Sequence, residues 1–400
     1  MKISIIVLLI LFPIALRSQS TTTWEVSLAG DWAWSLEQTT DDGFIIAGRA
    51  TTDELDTLPK HGTIAGQFHW LITKLSSGGK VEWKRRFREW GNARAESVAQ
   101  MPDGGFVVTG DVILHDSSGT YKGHNSMIAR LRADGTTLWT RAFGGLGNDL
   151  LYDIKPTHDG GVIAVGCSNS ADSLIPDRTQ HRSADYWIIK LNAEGETEWE
   201  KLYGGIGWES AEGVCQTPDG GYLVITDNAR LLRLDSAGEM LWERDYYRLA
   251  WASHFNEIQP THDGGYMIAG YTEAPQAPGF AGQRDVWVAK VNGLGWIEWS
   301  QILGSPEVEG ATSIDVTNDG GCVVGGYGPK RSYWMMKFGP DAKVRWQKWF
   351  PDFKNQGQFT VRQTRTGGYA VAGRKPDTTA PSSKNFWVRV MGEEQGENGP

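Results

Sequence analysis

The sequence predicts an all-β fold: a seven-bladed β-propeller with four antiparallel strands per blade, closed by the N-terminal strand completing the last blade. Three observations carry this prediction. A glycine-rich turn phrase occurs seven times, a Gly-x-x-x-Trp phrase follows it in most copies, and glycine and tryptophan are both in excess. Of 400 residues, 50 are glycine and 19 tryptophan, against an average glycine share of about 7%. No Gly-X-Y period runs through the chain, so collagen is excluded. With 40% hydrophobic and 22% charged residues, a disordered chain is excluded as well.

The chain opens on an export signal, residues 1–20. Lys2 supplies a positive start, Ile3 to Leu16 form an apolar stretch, and the small residues Ser18 and Ser20 offer a cleavage site. The stretch is short for a span of ~20 residues, and no second apolar run follows. The mature chain is therefore expected to have no integral membrane segment and to be secreted: extracellular, periplasmic or at the cell surface. Its formal charge of −9 becomes −11 once Lys2 and Arg17 are removed. No Lys/Arg run is dense enough to follow a phosphate backbone, so nucleic acid is not an expected partner.

The propeller is expected over residues 21–391, followed by an acidic tail, 392–400. Its turn phrase appears as Asp41-Asp42-Gly43-Phe44, Asp103-Gly104-Gly105-Phe106, Asp159-Gly160-Gly161-Val162, Asp219-Gly220-Gly221-Tyr222, Asp263-Gly264-Gly265-Tyr266, Asp319-Gly320-Gly321-Cys322 and Thr366-Gly367-Gly368-Tyr369. Such dipeptides favour hairpin turns, and variable spacing around a constant phrase means a fixed unit with loop insertions. In the third unit the strands are predicted near 150–157 (A), 161–166 (B), 186–191 (C) and 197–203 (D). Seven A, B and C strands can be counted but only six D strands follow them. Thr22-Thr23-Trp24-Glu25-Val26-Ser27-Leu28 supplies the seventh from the other end of the chain. A ring closed in this way hides two strand edges.

The D-position tryptophans are 24, 83, 139, 199, 242, 299 and 346, one per sheet, as packing between neighbouring blades demands; Trp187, Trp287, Trp334 and Trp387 form a C-strand set. Lys74, Arg130, Lys190, Arg233, Lys290 and Lys337 hold one repeated place in strand C and are read as paired structural groups. Blade seven departs, with Arg389 one residue early. Three cysteines, 167, 215 and 322, form no CxxC pair and read as small hydrophobes rather than a disulfide framework.

These phrases resemble the repeats of a bacterial secreted β-propeller family, T-x-D-G-G-Y, then D-x-W-x-x-K-L, then G-x-x-x-W. Thr261-His262-Asp263-Gly264-Gly265-Tyr266 and Asp285-Val286-Trp287-Val288-Ala289-Lys290-Val291 carry the pattern nearly in full, and it covers 22–391. Blade four is degenerate in strand C, and blade seven lacks the turn aspartate. The resemblance implies a surface or extracellular binding module and no defined reaction. The Gly-x-x-x-Trp ending is also similar to the docking repeat of pyrroloquinoline-quinone enzymes and outer-membrane assembly propellers. The vicinal cysteines of the former are missing here, and no cofactor is expected.

Function is expected on the face that carries the BC loops and the D-to-A crossovers, because loop variation on a rigid scaffold is where binding evolves. Long BC loops are predicted at 49–68, 111–124, 167–184, 271–284 and 374–385. His61, His69, His115, His124, His181 and His254 map to that face, with Asp111, Asp116, Asp177, Arg178 and Arg182 beside them. Such a set could bind a metal or do acid–base work on an acidic polysaccharide; exposed loops also simply collect polar residues, and no H-x-H or HExxH spacing is present. The crossovers bring the off-register tryptophans Trp32, Trp90, Trp208, Trp251 and Trp349, able to stack on sugar rings or peptide side chains. Crossover acids Asp31, Asp149, Glu209 and Glu309 read as structural hydrogen-bond acceptors.

No Walker loop, EF-hand loop or G-x-S-x-G occurs. The expected function is a non-catalytic binding or scaffold module for a polysaccharide or cell-surface protein. Its expected contacts are Trp32, Trp208, Trp251, His115, His124, His181 and Arg182. The alternative is an extracellular carbohydrate-active enzyme, lyase or hydrolase, with its site on the same face.

Overall fold

The computed structural model describes residues 22–30, 32–51, 68–87, 93–115, 121–145, 147–170, 183–205, 207–246, 253–273, 283–351, 358–376 and 384–392. Its strands run in order from β1 (Thr22–Ala29). Blade one is β2 (Trp32–Gln38), β3 (Phe44–Thr51), β4 (Phe68–Leu75) and β5 (Val81–Phe87). Blade two is β6 (Ala93–Gln100), β7 (Phe106–His115), β8 (Tyr121–Leu131) and β9 (Thr137–Phe143). Blade three is β10 (Asp149–Pro156), β11 (Val162–Ser168), β12 (Asp185–Leu191) and β13 (Thr197–Tyr203). Blade four is β14 (Ala211–Gln216), β15 (Tyr222–Thr226), β16 (Arg230–Leu234) and β17 (Met240–Asp245). Blade five is β18 (Ser253–Pro260), β19 (Tyr266–Thr272), β20 (Asp285–Val291) and β21 (Ile297–Leu303). Blade six is β22 (Gly310–Val316), β23 (Cys322–Tyr327), β24 (Tyr333–Phe338) and β25 (Val344–Phe350). Blade seven has β26 (Thr360–Gln363), β27 (Tyr369–Pro376) and β28 (Lys384–Met391) from the C-terminal end.

The fourth strand of blade seven is β1, so that sheet runs β1-β28-β27-β26. Glu25 pairs with Arg389 and Leu28 with Phe386. The predicted closure through both ends of the chain is therefore the observed one.

Middle strands are buried on both faces, which is why they read as unbroken apolar runs. All of β11 (VIAVGCS) is buried, while the outer strand β17 alternates between half-buried and exposed positions. The cysteines are buried thiols in three different blades.

Each motif residue has a mechanical role. In blade three, Lys190 is 2% exposed; its Nζ lies 2.9 Å from Asp159 of the turn and 2.8 Å from Glu198 of β13. It also donates to the Leu191 carbonyl at 3.0 Å. Asp159 in turn accepts from Thr157 Oγ1 (2.5 Å) and the Gly161 N–H (2.9 Å). This lock recurs as Lys74–Asp41, Arg130–Asp103, Arg233–Asp219, Lys290–Asp263 and Lys337–Asp319. The second glycine of the phrase leaves room for it, since a Cβ on Gly161 would sit 2.6 Å from Lys190 Nζ.

The Gly-x-x-x-Trp phrase joins blades. The glycine of each CD turn has a positive φ and receives the tryptophan of the preceding blade: a Cβ would meet Trp24 at Gly79 (2.6 Å), Trp83 at Gly135 (2.7 Å) and Trp139 at Gly195 (2.7 Å). The indole N–H then donates to that turn's backbone, Trp24 to Ser77 (2.8 Å) and Trp83 to Ala133 (2.9 Å). Blade six is the exception. Its turn holds Ala342, also at positive φ (63°), and Trp299 Nε1 is buried with no hydrogen-bond partner. Trp299 lies flat against Phe338 at 23°, whereas Trp24 and Trp83 meet Phe44 and Phe106 edge-on, at 70° and 62°.

Several expectations need correction. Most of the predicted loop 111–124 is hairpin, because β7 and β8 extend beyond the rest of the sheet as far as His115 and Tyr121. His69 is a buried residue of β4 rather than a loop residue. Trp349 lies in β25, and Trp32 opens β2. Trp70 joins the C-strand tryptophans, fully buried opposite Arg49 of β3.

Candidate functional site

Of the expected contacts, Trp32, His124 and Trp208 fall among the described residues, on blade one, blade two and the crossover between blades three and four. Trp208 is 51% exposed on the crossover between blades three and four. Trp32 is half-buried at the start of β2 in blade one, with the Arg374 guanidinium over it at 4.2 Å. Its neighbour Trp34 shares Arg49 with it, at 5.2 and 5.3 Å. His124 is held by Asp111 (Nδ1 to Oδ2, 2.8 Å), and the other Asp111 oxygen takes Arg94 Nε at 3.0 Å. This is a clasp across β6, β7 and β8. His254 stacks on Tyr271 at 4.6 Å. His115 lies in β7, its side chain outside the description; Trp251, His181 and Arg182, like His61, Trp90 and Asp31, lie outside the described residues. Among the described residues no group of three or more His, Cys, Asp and Glu is placed to hold a metal.

The crossover acids act as loop acceptors. Asp149 takes the Gly145 N–H (2.8 Å) and the Ser170 hydroxyl (2.5 Å); Glu209 takes the Gly205 N–H (2.6 Å). Glu309 takes Ser305, and burial pushes its carboxyl up to about 7.

The pocket that stands out is axial. A cavity of about 120 Å³ lies among the inner strands, and its chemistry follows from one irregularity repeated six times. In β2, β6, β10, β14, β18 and β22 the ladder to the next strand skips one residue. The skipped residues are Trp34, Glu96, Tyr152, Glu212, Asn256 and Thr312, and all six line the cavity. A β-bulge places two successive residues against one partner and re-aims a side chain. Here it turns a residue toward the axis that regular pleating would turn away.

Below the bulges, the channel's acids stitch blades together. Asp153 accepts from Ser97 Oγ of blade two (2.9 Å) and the Val214 N–H of blade four (3.1 Å). Glu257 accepts the Ile314 N–H (2.9 Å), Asp315 the Gln363 N–H (2.7 Å) and Glu37 the Gln100 N–H (3.3 Å). Two cations balance them, Lys155 on Asp153 (2.8 Å) and Arg362 on Glu257 (2.7 Å). These groups are engaged in holding inner strands side by side, so their first role is structural.

The bulge ring differs. Glu96 is paired within its own strand by Arg94 (2.5 Å). Among the described residues Glu212 accepts only from Ser210 Oγ (2.6 Å), and burial with acidic neighbours raises its carboxyl to about 7. Between them sits Tyr152, its hydroxyl 3.7 Å from Cys167 Sγ.

Sequence reasoning passed over this ring, although a signal for it exists. Counted back from the first residue of the turn phrase, the seventh position reads Trp, Glu, Tyr, Glu, Asn, Thr in blades one to six. The fifth reads Leu, Val, Ile, Val, Ile, Ile. One position that varies in chemistry inside an otherwise apolar-patterned strand marks the bulge.

Seven four-stranded sheets around a polar axial channel define the chain as a seven-bladed β-propeller. No protein-family model matches its sequence, and no curated protein matches it. Among solved structures, the β-propeller domain of Cps50 (Swd1) from Myceliophteria thermophila is similar at a TM-score of 0.56 and 9% identity, over 92% of this chain and 99% of that one. Sqt1 from Chaetomium thermophilum is similar at 0.52 and 9%, over 96% and 86%. BamB from Moraxella catarrhalis matches at 0.49 and 13%, over 96% and 100%. At such identities the likeness is one of fold alone.

Proposed function

We propose that the chain is an exported, non-catalytic binding or scaffold propeller whose partner docks on the face bearing the BC loops and crossovers, over the mouth of the axial channel. The observation that carries this reading is the bulge ring. A rigid frame, stitched by its own acids, presents six side chains of five chemical kinds at one level of one cavity. Exposed Trp208 adds a stacking surface on the same face. Export rests on Lys2 and the apolar Ile3 to Leu16 stretch, and on the resemblance to secreted propeller repeats.

The test is a screen of the mature chain against glycan and surface-peptide arrays, repeated with Trp208→Ala and Trp34→Ala. A ligand whose affinity falls at least tenfold in either variant is the expected outcome. Ligands indifferent to both, or none at all, would remove the reading, and retention of the tagged full chain in the cytoplasm would remove export. A carbohydrate-active enzyme is favoured by one observation, the two buried carboxyls of raised pKa flanking Tyr152. It requires release of sugar ends or unsaturated products that Glu212→Gln abolishes.

A further inference from the structure

Buried charges in proteins are nearly always paired, because an ion taken out of water without a partner costs several kcal/mol. The axial channel obeys this rule at Asp153, Glu257 and Glu96, each held by a cation. Glu212 breaks it. Among the described residues its one hydrogen bond comes from Ser210 Oγ, and the ionisable groups bearing on it are Asp227 and Glu96, both acidic. Tyr152 of blade three and the Cys167 thiol lie beside it, and neither brings positive charge. Among the described residues, then, no lysine or arginine answers this carboxylate, yet the bulge turns it into the cavity rather than into the sheet.

Resting on the binding reading above, we propose that Glu212 receives a protonated amine or guanidinium group of the ligand, inserted along the axis. The cavity's other bulge residues suit such a guest. Trp34 on the opposite wall and Tyr152 beside the carboxylate are aromatic rings that attract a cation, as Trp34 already does with Arg49 at 5.2 Å, and Asn256 offers a polar wall. A volume of about 120 Å³ far exceeds the ~10–15 Å³ of probe space that a single water needs, so the end of a lysine-like chain has room. Arg94 stays on Glu96 and Asp111 at 2.5 and 3.0 Å, which leaves Glu212 as the receiving group.

The chemistry has two sources: a lysine or arginine side chain carried by a partner protein, or a free amine such as an amino sugar. Titration of the mature protein by calorimetry with n-butylammonium, ethylguanidinium and the neutral n-butanol tests the site. The cations are expected to bind and n-butanol not to, and Glu212→Gln should weaken cation binding at least tenfold. Trp34→Leu should weaken it about threefold, an independent check should the first variant fold poorly. Glu212→Asp, which keeps the charge, should retain part of the binding. Equal binding of n-butanol, no binding of either cation, or a Glu212→Gln variant within twofold of wild type would overturn the proposal. An acetylated and amidated Gly-Gly-Lys-Gly-Gly peptide binding tenfold tighter than butylammonium assigns the source to a protein. Glucosamine binding where N-acetylglucosamine does not assigns it to a sugar. A macromolecular partner that binds the face without regard to Glu212 would sink the cation site while leaving the binding reading intact.

Discussion

Blade three and blade seven solve one problem in two ways. In blade three a single buried cation, Lys190, ties the AB turn (Asp159), its own carbonyl neighbour and the outer strand (Glu198) into one ion-paired unit. Blade seven has Thr366 where the aspartate belongs and Val390, opposite Trp24, where the lysine belongs. Its cation has moved one residue to Arg389, which in a strand means the other face. There Arg389 (2.5 Å) and Lys375 (2.8 Å) both grip Glu25 of β1. That carboxylate is lowered to about 2, its cations outweighing the burial that acts against it. Where the fourth strand arrives from the other end of the chain, the ion pair sits on the seam instead of the turn.

The comparison breaks most visibly if the seam is removed. Deleting residues 22–29 exposes the edge of β28 and withdraws Trp24 from Gly79. The loss should exceed the ~3–5 kcal/mol of a single docked tryptophan, and an unchanged urea midpoint would contradict closure. Next, Trp83→Ala should cost about 3–5 kcal/mol and Trp299→Ala distinctly less, because Trp299 already lacks its turn and its hydrogen bond. Equal midpoints for the two would mean that the Ala342 junction is not the weak one.

Asp159→Asn leaves Lys190 with Glu198 alone and should cost about 1–2 kcal/mol; the turn carboxylate is half exposed, which discounts the larger penalty of a fully buried pair. Glu25→Gln should cost a similar amount, but with faster unfolding if the seam opens first.

The locks also set an acid limit. Asp159 and Asp263 are lowered to about 2 from an ordinary 3.8. Their stabilisation is present above about pH 4 and lost as pH falls toward 2. Glu212 and Glu309 lie the other way, raised to about 7 from 4.5. Their protonated forms favour the fold below about pH 4.5, and that advantage is lost as pH rises through 7. Melting temperature should therefore peak between about pH 4 and 5, and Glu212→Gln should flatten the fall toward pH 8. The smallest effect is a gain: Ala342→Gly relieves a positive φ and reopens the dock, worth about 1 kcal/mol.

The fold was legible because its motifs are made of parts that must repeat. A lysine that reaches a turn aspartate, and a glycine that admits a tryptophan, recur wherever blades pack, so Lys190 and Gly195 announce themselves. Closure was legible by arithmetic, six outer strands for seven blades with Trp24 to spare. The site was far less so. Trp34, Tyr152 and Glu212 follow no repeat, because the bulge takes them out of the strand ladder whose partners must recur. Strict alternation along β14 would also point Glu212 away from the channel. The loops that drew attention through His115 and His124 became a long hairpin, since β-branched and aromatic residues there continued the ladder beyond the usual sheet edge.

The skipped residue in each inner strand has a consequence for how such a protein changes over time. A bulged residue has no cross-strand partner to satisfy, so exchanging it alters the channel wall without disturbing the ladder on either side. Glu96, Tyr152 and Glu212, whose side-chain bonds stay within their own blade, can thus be rewritten with little effect on the scaffold, whereas Asn256 and Thr312 also bond the next blade. Channel chemistry and foldability are thereby inherited on partly separate residues.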